Sequence, residues 1–184
     1  MHQKLIIGCG RLGSLNNLYP IEKIVSTINL AVRHKVTRFD TANIYGQGDS
    51  ERILGRMMQR WPAEVFEITT KGGFKFGNHA SVVRYAKPLL RILVRNSRAL
   101  KFATRLRTNQ SSQDFAFESV DKSLRQSLTR LQRTSANVFL LHEPAPEHFQ
   151  RYDLDKTLRR LLAGGIADRV GVSVTDRLQL QCAL

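Results

Sequence analysis

The chain places reactive side chains where short apolar runs end, and this placement most restricts the folds open to it. Asp40 and Tyr45 lie in Arg-Phe-Asp-Thr-Ala-Asn-Ile-Tyr-Gly, Lys71 in Thr-Thr-Lys-Gly-Gly, and His142 in Phe-Leu-Leu-His-Glu-Pro. Each run has the length and composition of a buried strand. Parallel α/β barrels collect their functional residues at the carboxyl ends of their strands. We therefore expect a carboxylate, a phenol, an amine and an imidazole to share one pocket.

Strand and helix patterns alternate along the whole chain. Short apolar runs predict five strands, at 5–8, 36–39, 65–70, 137–141 and 169–173. Apolar residues at helical spacing predict helices that begin near residue 20 and at an N-cap Ser50, and helices over 117–131 and 154–162. Such alternation is typical of right-handed βαβ units around a parallel sheet. The fold class is therefore α/β.

These residues resemble the aldo-keto reductase family. The matches are Phe-Asp-Thr-Ala-Asn-Ile-Tyr-Gly, the run from Gly48 to Gly55, and the strand ends at Thr70-Lys71, Leu141-His142 and Gly171-Val172-Ser173. They occur in family order across nearly the whole chain. The resemblance implies a (β/α)8 barrel, of which about five of eight βα units are present. Residues 1–184 are then one partial barrel domain.

The resemblance also implies a reaction and a role for each residue. Family members bind NADP(H) or NAD(H) and exchange a hydride with a carbonyl or sugar substrate. Tyr45 would be the general acid, and Lys71 would place a positive charge beside the phenolate as it forms. Asp40 would keep Lys71 charged and contact the cofactor, and His142 would orient the carbonyl. Ser173 would contact the nicotinamide carboxamide, with Val174 next to it where the family often has asparagine.

Each residue taken alone also has a structural interpretation. An aspartate at a strand end can cap the following helix, and a tyrosine is often a half-buried packing residue. A lysine in a cation-rich stretch can be solvated, and one histidine on an apolar strand is more often structural than catalytic. The ordered set of four favours the catalytic interpretation over these alternatives.

The predicted fifth strand is the last one in the sequence. In the family, loops after the seventh and eighth strands hold most of the cofactor, so we expect a truncated barrel that binds NADPH weakly on its own. Its open sheet edges predict self-association or instability. The alternative function is therefore a catalytically inactive fragment that serves as an interaction or membrane-surface protein.

A strongly basic segment separates the third strand from the next helix. The chain has 29 Lys and Arg against 15 Asp and Glu, and no acidic residue lies between Glu67 and Asp114. We predict an inserted basic loop and helix over 72–113, with the cations of Arg84–Arg105 on one helical face. Three interpretations stay open: a loop over the barrel mouth, attachment to an anionic membrane surface, and attraction of an anionic substrate.

Composition argues against other classes of protein. No apolar run has the length of a membrane span, and no cleavable signal is evident, so we expect a cytoplasmic protein. Cys9 and Cys182 form neither a disulfide framework nor a metal-binding spacing, and Cys9 is expected to be a small buried residue beside the first strand. Nucleic acid is not expected as a partner, because the basic face has few aromatic residues for stacking.

Overall fold

Five parallel strands form the centre of the protein. The structure, a computed structural model, describes residues 5–14, 19–75 and 112–184. The strands are β1 (Ile6–Gly8), β2 (Arg38–Asp40), β3 (Glu67–Gly72), β4 (Ala136–His142) and β5 (Ala167–Ser173). They pair in the order β1-β2-β3-β4-β5, with every pair parallel. All five strands predicted from the apolar runs are confirmed, with small shifts at their ends.

Helices connect the strands in the part of the chain that is described. They are α1 (Ile21–Arg33), α2 (Asp49–Met58), α3 (Phe117–Leu131), α4 (Pro146–Arg151), α5 (Leu154–Ala163) and α6 (Arg177–Ala183). Two 3₁₀ turns lie at Tyr45–Gly48 and Ala63–Val65. The helix predicted over 117–131 has those bounds. The short helices α4 and α6 were not predicted, because six or seven residues are too few to show a helical period. Among these helices none is long and apolar enough to cross a membrane.

The helix-facing side of the sheet is mostly apolar. The strand register puts Phe39 beside Ile68, and Thr70 beside Phe139, on the helix-facing side. These four side chains are almost fully buried. The core consists of two clusters, one of β1–β3 with α1 and α2, and one of β4 and β5 with α3 and α5. The opposite side carries Asp40, Lys71 and His142 together with the aliphatic Val138 and Leu140.

Helix α2 begins two residues earlier than predicted, so Ser50 is not its N-cap. Gly48 takes that position with a φ of 82°, a left-handed conformation that suits glycine. The Ser50 hydroxyl instead donates to the Cys9 carbonyl at 3.2 Å and bonds Thr41 Oγ1 at 2.8 Å. Both partners lie near strand ends. Ser50, which was predicted to cap its own helix, therefore connects α2 to the sheet.

Helix α2 is also held by a buried ion pair. Glu51 is fully buried, and it accepts from Arg130 Nε at 2.6 Å and from Thr70 Oγ1 at 2.6 Å. Because α2, α3 and β3 each contribute one group, this cluster fixes the two helices against the sheet. Removing one partner of such a buried pair is strongly destabilising, because the other charge is left buried and uncompensated.

The predicted basic insertion lies mostly outside the described residues. Its two ends meet, because Phe74 and Gln113 form an antiparallel bridge and the Lys75 N–H donates to the Ser112 carbonyl at 2.8 Å. The helix predicted over Arg84–Arg105 falls outside the described ranges. It stays a prediction, as does the boundary 72–113.

Gly55 gives a test of the contact between α2 and α3. A Cβ at this position would lie 2.9 Å from the carbonyl carbon and oxygen of Leu131, which are backbone atoms that cannot turn away. We expect Gly55→Ala to lower the free energy of unfolding by about 1–3 kcal/mol, since overpacking forces the helices apart. Urea denaturation measures this change.

The matched control is Gly164→Ala, at the end of α5. Gly164 has φ −72° and a Cβ there would make only ordinary contacts at 3.4 Å or more. Its effect should stay within about 1 kcal/mol. Equal effects of the two substitutions would show that close helix packing at Gly55 is not the cause.

Candidate active site

The carboxyl ends of β2 and β3 bring Asp40, Lys71 and Tyr45 together. The Lys71 ammonium donates to Asp40 Oδ1, to the Thr41 carbonyl at 3.1 Å and to the Tyr45 hydroxyl at 3.4 Å. Lys71 is only 5% exposed. A lysine so deeply buried needs an anionic partner and hydrogen-bond acceptors to remain charged, and these three oxygen atoms provide them.

Backbone pairing beyond the end of β2 sets this geometry. The Thr41 N–H donates to the Thr69 carbonyl at 2.9 Å, and the Asn43 N–H donates to the Lys71 carbonyl at 3.0 Å. The segment after β2 therefore follows β3 along its length. This pairing places Tyr45 next to the Lys71 ammonium.

A tight turn holds Tyr45 in place. Gly46, the next residue, has φ 59°, and a Cβ there would lie 2.9 Å from the Gly13 backbone. The loop after β1 thus packs directly on the turn that starts at Tyr45. The ammonium of Lys71 lies 5.1 Å from the centre of the Tyr45 ring, within the range of a cation–π contact.

His142 completes the set from the end of β4. Its ring makes edge contacts with Tyr45 and Phe74, at centroid distances of 5.7 and 5.2 Å. Its Nε2 lies 3.7 Å from Glu143 Oε1, and its Nδ1 is buried with no hydrogen-bond partner in the described part of the chain. Burial, and secondarily the positive charge of Lys71, lower the pKa of His142 to about 4. The imidazole is therefore neutral near pH 7.

Ser173 lies at the same edge of the sheet. It pairs with His142 in the register of β4 and β5, and its carbonyl accepts from the Glu143 N–H at 2.9 Å. All five residues singled out from the sequence thus lie at the carboxyl ends of the strands or in the turn that follows β2.

Two supporting residues were not identified from the sequence. Asn43 donates from Nδ2 to the Phe74 carbonyl and to Ser123 Oγ, both at 2.9 Å, and joins the Tyr45 turn to α3. Gln113 donates from Nε2 to the carbonyls of His142 and Glu143, both at 3.0 Å. Asn43 lies within the quoted motif, but no local pattern predicts partners so distant along the chain.

Cys9 is buried beside the site, as expected from the sequence. Its thiol lies 3.5 Å from the Ile7 carbonyl. Burial, and then the negative charge of Asp40, raise the pKa of the Cys9 thiol to about 12. The thiol is therefore protonated at neutral pH and is not a nucleophile here.

The available groups fit the nicotinamide end of a dinucleotide. The Asp40 side chain keeps about a third of its surface exposed although it pairs with Lys71, and Ser173 is half-buried at the same edge. A carboxylate and a hydroxyl are suited to hydrogen-bonding a ribose hydroxyl and a carboxamide. Asp40 and Ser173 are thus the residues here that would hold such a group.

The low pKa of His142 predicts a pH dependence of stability. In the unfolded chain His142 has the ordinary histidine pKa of 6.5, whereas in the folded protein its pKa is about 4. The neutral imidazole therefore makes its full contribution to the free energy of unfolding above pH 6.5. This contribution is lost as the pH falls towards 4. The unfolding free energy should fall across this window by up to about 1.4 kcal/mol per pH unit from this residue.

Urea denaturation at several pH values measures that slope. We expect His142→Gln to have a shallower slope than the wild type between pH 6.5 and 4, and His34→Gln, at an exposed site after α1, to keep the wild-type slope. Identical slopes for wild type and His142→Gln would contradict the neutral, buried imidazole.

Known proteins share this sequence pattern and this fold. The Aldo/keto reductase family model matches residues 4–183. Probable aldo-keto reductase 1 of Glycine max is 35% identical over 71 residues, which are 38% of this chain and 20% of that protein. The holo form of an aldo-keto reductase from Bacillus halodurans superposes with a TM-score of 0.68 and 18% identity, over 93% of this chain and 46% of its own.

A glycerol dehydrogenase from Gluconobacter oxydans gives a TM-score of 0.68 at 21% identity, over 96% of this chain and 46% of its own. At these identities the superpositions establish the fold alone. The chain spans about half the length of these solved structures. From the family match and the superposed sheet, the chain belongs to the aldo/keto reductase family and forms part of its (β/α)8 barrel.

Proposed function

We propose that this chain carries the proton-transfer site of an aldo-keto reductase that uses NADP(H) or NAD(H). The observation that carries the proposal is the burial of Lys71 between Asp40 and the Tyr45 hydroxyl. A lysine with only a structural role would be more stable with its ammonium in water. A tyrosine with only a packing role does not require a buried cation beside its hydroxyl. Together they form a proton donor whose conjugate base is stabilised in advance.

Tyr45 donates its proton to the carbonyl oxygen of the substrate. A nicotinamide cofactor held by Asp40 and Ser173 would supply or accept the hydride. Lys71, 3.4 Å from the phenolic oxygen, stabilises the negative charge left on Tyr45. Asp40 keeps the ammonium in place. In the reverse direction, the same phenolate accepts the proton of an alcohol.

His142 orients the substrate. Because its imidazole is neutral, it can donate one hydrogen bond to the carbonyl oxygen without adding a second positive charge beside Lys71. The edge contacts with Tyr45 and Phe74 restrict the ring. The carbonyl oxygen is then held between the imidazole and the phenol.

Family membership supports the proposed substrate class. A small carbonyl compound or a sugar is the proposed substrate, in the cytoplasm. Related solved proteins include an aldo-keto reductase of Klebsiella pneumoniae in complex with NADP and acetate, and the glycerol dehydrogenase of Gluconobacter oxydans. The NADP bound to the Klebsiella protein supports a nicotinamide cofactor for this chain.

Cofactor oxidation over a panel of aldehydes, ketones and sugars tests the proposal. Tyr45→Phe should lower kcat at least about 100-fold, since it removes the general acid and keeps the ring. Tyr19→Phe, at an exposed site beside α1, is the matched control and should retain activity.

Fluorescence titration of NADPH separates binding from chemistry. Binding with turnover that depends on Tyr45 supports the reductase. Turnover that is unchanged in Tyr45→Phe contradicts the assignment of Tyr45. Absence of both binding and turnover in the wild type contradicts the proposal for this chain.

A further inference from the structure

The two ring nitrogens of His142 lie in different surroundings. Nε2 lies 3.7 Å from Glu143 Oε1, whereas Nδ1 is buried and has no hydrogen-bond partner in the described part of the chain. A neutral imidazole carries one proton on its ring nitrogens, so one nitrogen donates and the other accepts. The two possible positions of that proton are therefore unequal in energy in this site.

The carboxylate of Glu143 reaches the imidazole because the backbone turns directly after β4. Glu143 has φ 52°, in the left-handed region that residues other than glycine rarely occupy. Its N–H donates to the Ser173 carbonyl at 2.9 Å, and its carbonyl accepts from Gln113 Nε2 at 3.0 Å. Successive side chains of a continuing strand face opposite sides. The turn therefore brings two neighbouring side chains together, at a cost in backbone strain.

Gln113 also holds the backbone of His142. The same Nε2 donates to the His142 carbonyl at 3.0 Å. Gln113 forms an antiparallel bridge with Phe74, whose ring makes an edge contact with the imidazole at 5.2 Å. The Tyr45 ring makes a second edge contact, at 5.7 Å. The fold thus fixes both the imidazole and the backbone that carries the carboxylate.

We propose that Glu143 is a positioning residue that places the single proton of the His142 imidazole on Nε2. With the proton on Nε2, the N–H lies beside an anionic oxygen. With the proton on Nδ1, a buried donor has no acceptor, and the lone pair of Nε2 lies beside the carboxylate. Both differences favour the same tautomer.

The preference comes from electrostatic attraction and not from a hydrogen bond. A separation of 3.7 Å exceeds the usual range of N–H···O distances. The Glu143 side chain is 39% exposed, so water weakens the attraction without removing it. A further charge that acts on the ring is Lys71, which is paired with Asp40. Burial and Lys71 lower the pKa of His142 to about 4, so the carboxylate selects between two neutral tautomers.

The Nε2–H tautomer is the one that the proposed function requires. Since Nδ1 is buried, Nε2 is the nitrogen that a substrate can reach. Its N–H is not engaged by Glu143 in a hydrogen bond, so it is available to the carbonyl oxygen. A proton on Nδ1 would instead present a lone pair to that oxygen. This use of the tautomer rests on the proposed function, whereas the tautomer itself does not.

Long-range proton–nitrogen correlation spectra of the isotopically labelled chain test the proposal. The chemical shifts of Nδ1 and Nε2 report which nitrogen carries the proton. The signals of His142 are identified by their loss in His142→Gln. Spectra recorded near pH 7 without cofactor or substrate make the result independent of turnover. We expect the Nε2–H tautomer to predominate in the wild type.

Two substitutions remove the carboxylate. Glu143→Gln keeps the size of the side chain, and Glu143→Gly suits the left-handed backbone, so the glycine variant should fold. Each should shift the ratio of the tautomers at least about threefold towards Nδ1–H, as expected for the loss of one interaction with a charged group. The matched control is Glu147→Gln, an equal loss of charge at an exposed site on α4, which should leave the ratio unchanged.

A wild-type imidazole with its proton on Nδ1 would overturn the proposal. An unchanged ratio in both Glu143 variants would also overturn it, because burial of Nδ1 would then set the tautomer without the carboxylate. An equal shift in Glu147→Gln would have the same consequence, since general charge would be the cause. Failure of the proposed function would appear as absent turnover in the wild type, whereas failure of this proposal appears in spectra that require no turnover.

Discussion

The burial of one positive charge, at Lys71, sets the conditions for the whole site. Moving an ammonium group out of water costs several kcal/mol unless close oxygen atoms replace its hydration. Here Asp40 and the Thr41 carbonyl come from the end of β2, and the Tyr45 hydroxyl comes from the turn that follows. Lys71 is therefore compatible only with a sheet in which β2 and β3 keep their register. The geometry of the site therefore depends directly on the pairing of β2 with β3.

Thr70, the residue before Lys71 on β3, extends that constraint to the helices outside the sheet. Thr70 points to the helix side, where it donates to Glu51 at 2.6 Å, and Glu51 pairs with Arg130. Because successive residues of a strand face opposite sides, Thr70 and Lys71 link the helix layer and the active site through adjacent positions. Strand β3 therefore connects the Glu51–Arg130 pair directly to the Asp40–Lys71 pair. A change in the packing of α2 against α3 should therefore shift the position of the Lys71 ammonium.

Features with a local cause could be predicted from the sequence, and features with distant causes could not. Apolar runs and helical spacing predicted the strands and α3, and the motif resemblance predicted that Asp40, Tyr45, Lys71 and His142 would meet. Ser50 satisfied the local rule for an N-cap, but its hydroxyl bonds Thr41 and Cys9 instead. The partners of Asn43, Glu51 and Gln113 are set by the fold, so no spacing in the sequence indicates them.

The turn after β1 is joined directly to the candidate active site. Cys9, just beyond β1, donates its N–H to the Asp40 carbonyl at 2.8 Å, and its carbonyl accepts from the buried Ser50 hydroxyl at 3.2 Å. The Asp40 side chain keeps about a third of its surface exposed. A ligand that covered this surface would lower the local dielectric and strengthen the attraction between Asp40 and Lys71. Binding at the strand ends and organisation of the proton donor would then reinforce one another.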